Sequence, residues 1–446
     1  MKLNLLFSYL MFALFFLGRA QEIPASFSLE EAVEWGVEYN RTLKRASLEY
    51  QKAHKEKWKT ISIGFPQINA NLNYQNNIEQ PVSLIPAEFF PGGTEGEFTE
   101  VVFGTKQTAM GMVELSQLLF DGTYIIGVQG IQHYIKTAQN VLEKTTIEVK
   151  KAIATSYANV LVAQENVAIL TKNAKALEKN IQETQALFEN GFVEQETLEQ
   201  LQLTLSSLNI QINYAKKSLV LAENVLKLLL GIDVSESPSL TDDLATLTTR
   251  HLLEDNSDAD YSNNIDIRLA ENNVSTEGLL YRLERAKALP SFSAFINGMY
   301  MGNSNDFTFT KRSQKWFGSS AFGLRVRVPI FSSLGRTAGS QKAKLSLLQA
   351  ETQLIETKAQ IYVEWQNAQN NYTLSQENYS SSQDNLALAT RIEQKNTTKF
   401  FEGLVGSFEL RQAQLQLYQA QQNLIQSMRQ VILDKIKLDT ITNNAQ

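Results

Sequence analysis

Two stretches of the chain repeat each other at a spacing of about 212 residues, and heptads carry the repeat. Leu198, Leu205, Ile212, Leu219 and Leu226 align with Leu410, Leu417, Leu424, Val431 and Leu438. Upstream, Ile153, Val160, Val167, Ala174 and Phe188 align with Trp365, Tyr372, Tyr379, Leu386 and Phe400; only Ile181, opposite Glu393, loses its apolar partner. A register kept over that distance marks a tandem duplication. Each half is predicted to join two very long helices through a glycine-bearing turn, Asn190-Gly191-Phe192-Val193 in the first and Glu402-Gly403-Leu404-Val405 in the second. No glycine or proline interrupts Ile131 to Asn190, which permits a helix of about 60 residues, on the order of 90 Å long. No single globular core is that long. Apolar rows of period seven are seams between helices, so Trp365, Tyr372 and Tyr379 read as packing rather than as a ligand platform.

The N-terminus bounds where the chain works. Residues 1–20 carry Lys2, an apolar run from Leu5 to Leu17 and small residues before Gln21, the pattern of a cleaved secretory signal. The apolar run falls short of the roughly 20 residues that a helical span needs, and no later stretch reaches that length. A β-barrel stays open. With no cysteine there is no disulfide framework, and a net charge of -6 without a basic block gives no footprint for nucleic acid. His54, His133 and His251 lack metal-ligand spacing, and no nucleophile elbow, phosphate loop or paired-carboxylate motif stands out. The chain is expected not to be an enzyme and to use no cofactor.

Within each half the hydrophobic period switches from helical to two and back. Ser28-Leu29-Glu30-Glu31 predicts a capping box opening a helix to about Ser62. Strands are predicted at about 65–76 and 108–120, with an exposed Pro- and Gly-rich loop over 77–105 between them. The second half replays this order with a helix over about 265–288 and strands at about 289–301 and 319–331. The domains read as a first repeat over 21–233, an acidic inter-repeat linker over 234–262 bearing Asp242, Asp243, Asp255, Asp258 and Asp260, and a second repeat over 263–446.

The last strand decides orientation. Phe322, Leu324, Val326 and Val328 alternate with Gly323, Arg325 and Arg327. An arginine facing lipid at mid-depth would cost roughly 2 to 4 kcal/mol, whereas in a watery lumen it costs little. Arg325 and Arg327 are therefore placed in a barrel lumen, with the apolar row toward lipid. Four strands cannot close a membrane barrel, which needs about eight, so copies of the chain must pool theirs. Two copies would give about 8 strands, which side chains fill, and three about 12, which leave a passage. A conduit favours the trimer.

Several motifs in the same order carry a family resemblance: Ser-Leu-Glu-Glu-Ala at the first helix, Leu-Ser-Gln-Leu-Leu-Phe-Asp-Gly at 115–122, Phe-Glu-Asn-Gly-Phe-Val at 188–193 and Leu-Leu-Gly at 229–231. The second half answers with Val-Pro-Ile-Phe-Ser-Ser-Leu-Gly-Arg at 328–336 and Phe-Glu-Gly-Leu-Val at 401–405. Over essentially the whole mature chain this resembles the TolC-like outer membrane efflux proteins. The resemblance implies an α+β membrane protein, with tandem-duplicated helical hairpins forming a coiled-coil α-barrel in the periplasm. Each chain would give four β-strands to a trimeric 12-strand transmembrane β-barrel in outer membrane lipid.

It further implies the channel component of a tripartite efflux or type I secretion system, meeting a periplasmic adaptor and, through it, an inner membrane transporter. Gly191, Phe192, Val193, Gly403, Leu404, Val405 and Ser407 fall at the family's adaptor-contacting tips. Glu409 and Gln412 fall where relatives carry two acidic residues that narrow the periplasmic gate, so one carboxylate is replaced by an amide. The competing reading is a secreted coiled-coil structural or adhesive protein with a small β-domain.

Overall fold

The computed structural model describes residues 23–253 and 260–442; the signal segment, Asp255 and Asp258 lie outside them. The described residues of 1–49, 139–269 and 355–446 form one compact unit, and 50–138 with 270–354 form another. Each unit therefore draws on both repeats.

Strand β1 (Ser26–Phe27) leads to α1 (Leu29–Tyr39) in the first unit and to α2 (Arg41–Ser62), which passes into the second unit at Tyr50. The capping box forms as expected: Ser28 N–H donates to Glu31 Oε2 at 2.8 Å and Glu31 N–H donates to Ser28 Oγ at 3.3 Å. The single helix predicted to Ser62 is instead broken at Asn40, whose backbone turns extended. Asn40 Oδ1 accepts from Thr42 N–H at 2.8 Å and Leu43 N–H at 3.2 Å, so the side chain caps α2 while ending α1. Its Nδ2 donates to Leu229 C=O at 2.7 Å.

The long elements are α3 (Gly122–Glu189), α4 (Gln195–Leu230), α7 (Gly335–Phe401) and α8 (Ser407–Thr442). Helix α3 starts earlier than the predicted Ile131, running through Gly127 and Gly130, which are tolerated though costly in a helix interior. The heptad seams are real packing. Leu170 and Ala174 of α3 cluster with Leu208, Ile212 and Ala215 of α4, with Val167 and Leu205 against them. Ile153, Val160, Leu410, Val431 and Leu438 are each at most 2% exposed. Each such side chain contributes on the order of 1.5 to 3 kcal/mol by leaving water.

The inter-repeat segment is more than a linker. It contains β6 (Ser239–Leu240), parallel to β1, and α5 (Leu244–Leu253), which buries Leu244 and Leu247. Its acids are caps and clamps: Asp243 Oδ1 accepts from Thr246 N–H at 2.8 Å, and Asp242 Oδ2 accepts from Leu29 N–H at 2.8 Å and from Tyr157 Oη at 2.9 Å. Burial, with the Asp242 carboxylate beside it, pushes the Tyr157 hydroxyl well above its ordinary range. Beyond it, α6 (Ile265–Ala286) opens as α2 does: Asn264 Oδ1 accepts from Asp266 N–H at 2.9 Å and Nδ2 donates to Ile441 C=O at 2.8 Å.

The second unit carries an antiparallel sheet of four strands in the order β2 (Gln67–Asn76), β5 (Gln107–Asp121), β7 (Ser291–Ser304) and β8 (Trp316–Arg327). The predicted loop 77–105 holds a further hairpin, β3 (Val82–Pro86) with β4 (Phe98–Val102). Its prolines flank or end strands of five residues, too short for a period of two to show. Strand β8 begins and ends about three residues before its predicted limits, leaving Val328, Ile330 and Phe331 outside the ladder. Among the described residues no helix is long and apolar enough to cross a membrane.

Candidate functional site

The two hairpin tips are built by one backbone motif used twice. At the first, Gly191 N–H donates to Phe188 C=O and Phe192 N–H to Leu187 C=O, both at 2.9 Å. At the second, Gly403 N–H donates to Phe400 C=O at 3.0 Å and Leu404 N–H to Lys399 C=O at 2.8 Å. These paired bonds satisfy the last carbonyls of α3 and α7 and require a left-handed residue, hence glycine at φ 76° and 73°. The residue after each glycine is apolar and outside: Phe192 is 76% exposed and Leu404 69% exposed. Val193 and Val405 are half-buried. Exposed apolar side chains at both turns are surface available to a partner.

Beyond the turns the repeats part. In the second, Gly406 N–H donates to Glu409 Oε2 at 3.1 Å, so the predicted gate carboxylate closes half a capping box at the start of α8. Ser407 Oγ donates to Gln200 Oε1 at 3.4 Å, tying α8 to α4. The exposed Gln412 lines a groove of about 540 Å³ between α3, α4 and α8. Leu170, Asn173, Gln200, Arg411, Leu415 and Tyr418 line it too. Burial, and then the nearby Glu393 charge, push the Tyr418 hydroxyl up to about 12.

Arg411 is the residue sequence reasoning missed. Its guanidinium lies 5.8 Å over the Phe408 ring and reaches the groove, bringing a fixed positive charge between Glu409 and Gln412. Its signal in the sequence is its place one residue before Gln412. Within residues 409–412 the balance is one carboxylate against one guanidinium.

The register of the sheet sorts its side chains into two opposite surfaces. One carries Ile68, Ala70, Leu72, Val113, Leu115, Ile296, Phe322, Leu324 and Val326. The other carries Gln67, Asn69, Asn71, Asn73, Glu114, Ser293, Asn297, Arg325 and Arg327. On the apolar surface Leu72 is 90% and Phe322 74% exposed. A face this apolar and this bare in a single chain is surface that lipid or another protein would cover. On the polar surface the Arg325 guanidinium lies 5.1 Å over the Phe295 ring, and a Cβ at Gly323 would come within 2.7 Å of that ring. Glycine there lets the aromatic lie across the strand. Both edge strands, β2 and β8, have one unpaired side among the described residues.

Among the described residues no cluster of three or more His, Cys, Asp or Glu could hold a metal ion. The chain thus combines tandem long helical hairpins with a four-stranded sheet that bears one exposed apolar face. A family model described as outer membrane efflux protein matches residues 259–444, the second repeat. No curated protein sequence matches the chain significantly. The whole fold is similar to that of CusC, with a TM-score of 0.72 and 18% identity over 95% of each chain; the crystal structures of CusC concern its folding and transmembrane channel formation. It is also similar to the outer membrane protein VceC of Vibrio cholerae, with a TM-score of 0.70 and 14% identity over 93% of this chain and 95% of that one. A third likeness is to the open state of the MtrE outer membrane channel of Neisseria gonorrhoeae, at TM-score 0.70 and 16% identity over 95% of this chain and 93% of that one.

The second repeat thus matches the outer membrane efflux protein family, and the whole chain shares the fold of outer membrane channels.

Proposed function

We propose that the protein works as a homotrimer in which three four-stranded sheets close one 12-strand barrel. Strand β8 of each copy would pair with β2 of the next. The observation that carries this reading is the sheet itself: two chemically opposite faces and two open edges in a single chain. Cyclic closure satisfies both edges at once and removes the aggregation hazard that bare strands present. Arg325 and Arg327 then face a water-filled lumen.

The tips dock a periplasmic adaptor, through which the channel receives substrate from an inner membrane transporter. Phe192, Val193, Leu404 and Val405 supply the apolar contact, Gly191 and Gly403 the reversal, and Ser407 the link to the neighbouring helix. The chain hydrolyses nothing. Energy comes from the transporter, and this subunit supplies a gated, passive path for efflux or for type I secretion.

Glu409 and Gln412 line the periplasmic entrance, with Arg411 beside them. With one carboxylate offset by one guanidinium, the entrance selects weakly among ions. Purified protein in detergent is expected to migrate as a trimer below a heating threshold and to give discrete conductance steps in planar bilayers. A monomer that gives no conductance contradicts the proposal.

A further inference from the structure

Four of the chain's seven methionines lie together on the polar face of the sheet. The ladder sets Met110 opposite Met301 and Met112 opposite Met299, on the same surface as Asn71, Asn73 and Glu114. All four are half-buried. Methionine ordinarily fills irregular gaps in an apolar core. This surface has no such core: the strand neighbours across the ladder are Asn71 and Asn73 on one side and Ser319 and Phe317 on the other. Apolar residues of the same strands, Val113, Leu115 and Ile296, take the opposite face. Flexible thioethers are thus concentrated on a face that otherwise carries amides, hydroxyls and charges, with Phe295 and Phe317 as its aromatic residues.

We propose that Met110, Met112, Met299 and Met301 form a binding site for a soft monovalent metal cation, Cu(I) or Ag(I). Directly opposed side chains on an antiparallel pair have Cβ atoms about 4.5 to 5.5 Å apart, and diagonal ones about 7 to 8 Å apart, so several sulfurs can converge on one ion. Thioethers select soft ions, while Mg²⁺ and Ca²⁺ take oxygen ligands and leave sulfur aside. Neutral sulfur leaves the ion's charge uncompensated, and Glu114, two positions from Met112 on the same face, supplies a single carboxylate suited to a single positive charge. The arginines do not oppose it. Arg325 pairs with Ser293, about six residues along β7 from Met299, roughly 20 Å at the rise of a strand and beyond a screening length of about 8 Å. A shallow site of this kind suits a conduit, where an ion must bind well enough to enter and weakly enough to leave.

The facing of this surface toward the lumen rests on the channel reading; the convergence of the sulfurs does not. Silver nitrate in chloride-free buffer is the probe, titrated by calorimetry into the full-length protein in detergent. The expected result is saturable binding that Mg²⁺ does not displace. Affinity should fall by at least about tenfold, or about 1.4 kcal/mol, in the combined variant Met110→Leu/Met112→Leu/Met299→Leu/Met301→Leu and stay unchanged in Met428→Leu. Leucine conserves volume and costs under about 1.5 kcal/mol per site, and the double variant Met112→Leu/Met299→Leu, with a partial loss expected, serves if the combined one does not fold.

Wild-type protein that fails to bind silver, variants that bind it as the wild type does, or displacement by Mg²⁺ each overturn the site. Conductance on the same preparations separates the two readings: pores without silver binding overturn the site alone, and silver binding without pores supports the site while overturning the channel.

Discussion

The two hairpin tips share a reversal and differ in how the return helix begins. Gly191 and Gly403 make the same pair of backbone bonds at nearly the same φ, yet α4 opens on Glu194 with no side-chain cap while α8 opens on Gly406 capped by Glu409. The heptad positions beneath differ in degree as well: Leu198 is 7% exposed and Leu410 fully buried. The turn is set by backbone geometry, which admits only a left-handed residue, so duplication kept it. The helix starts were free to diverge. The second tip therefore pairs a capping carboxylate, Glu409, with a guanidinium, Arg411, whereas the first carries only carboxylates around its turn, Glu189, Glu194, Glu196 and Glu199.

Charging the tips should have the largest effect. Phe192→Glu and Leu404→Glu alter exposed side chains, so stability should stay within about 0.5 kcal/mol, while efflux measured in cells is abolished by either. Loss of efflux from only one would show that the tips are unequal in docking, and loss of the trimer would show that the turn residue is structural instead.

Next come the seams. Leu410→Ala should cost about 2 to 5 kcal/mol in denaturant unfolding, and Leu198→Ala less, because its site is already partly open to water. An equal loss at both would erase the difference in packing between the repeats. Asn40→Ala and Asn264→Ala should each cost about 1 to 3 kcal/mol, through a lost cap and a stranded carbonyl at Leu229 or Ile441. Here the repeats should agree, and a large disparity would break the equivalence of the two junctions.

The smallest overall effect is expected from Glu409→Gln, which should cost under about 1 kcal/mol of stability, since the amide can still accept from Gly406. Its bilayer signature should be a shift toward anions, opposed by a shift toward cations in Arg411→Gln. Unchanged permeability ratios in both would remove this turn from the entrance.

Much of this architecture was legible in the chain. The heptads exposed the hairpins because packing between long helices has a fixed period, and Ser28 with Glu31 announced the first helix start. The sheet strands were legible because lipid and water on opposite faces enforce strict alternation. The break at Asn40 was not, since the residue that ends α1 also caps α2 and no glycine or proline marks it. Helix α5 hid among acids that serve as caps. The β3/β4 hairpin was hidden by prolines and by strands too short to show a period. The pairing of methionines across β5 and β7 needed the register itself, because residues 110 and 301 are far apart in the chain.

The absence of cysteine from the chain makes disulfide trapping of the barrel seam the most direct test. Asn71→Cys in β2 is combined in turn with Ser319→Cys, Ala321→Cys and Gly323→Cys in β8, all on the polar face, and oxidised protein is resolved without reductant. Closure by three copies predicts that one pairing gives a covalent trimer as the largest product. Monomer alone at every pairing, or a ladder continuing beyond three, would contradict it.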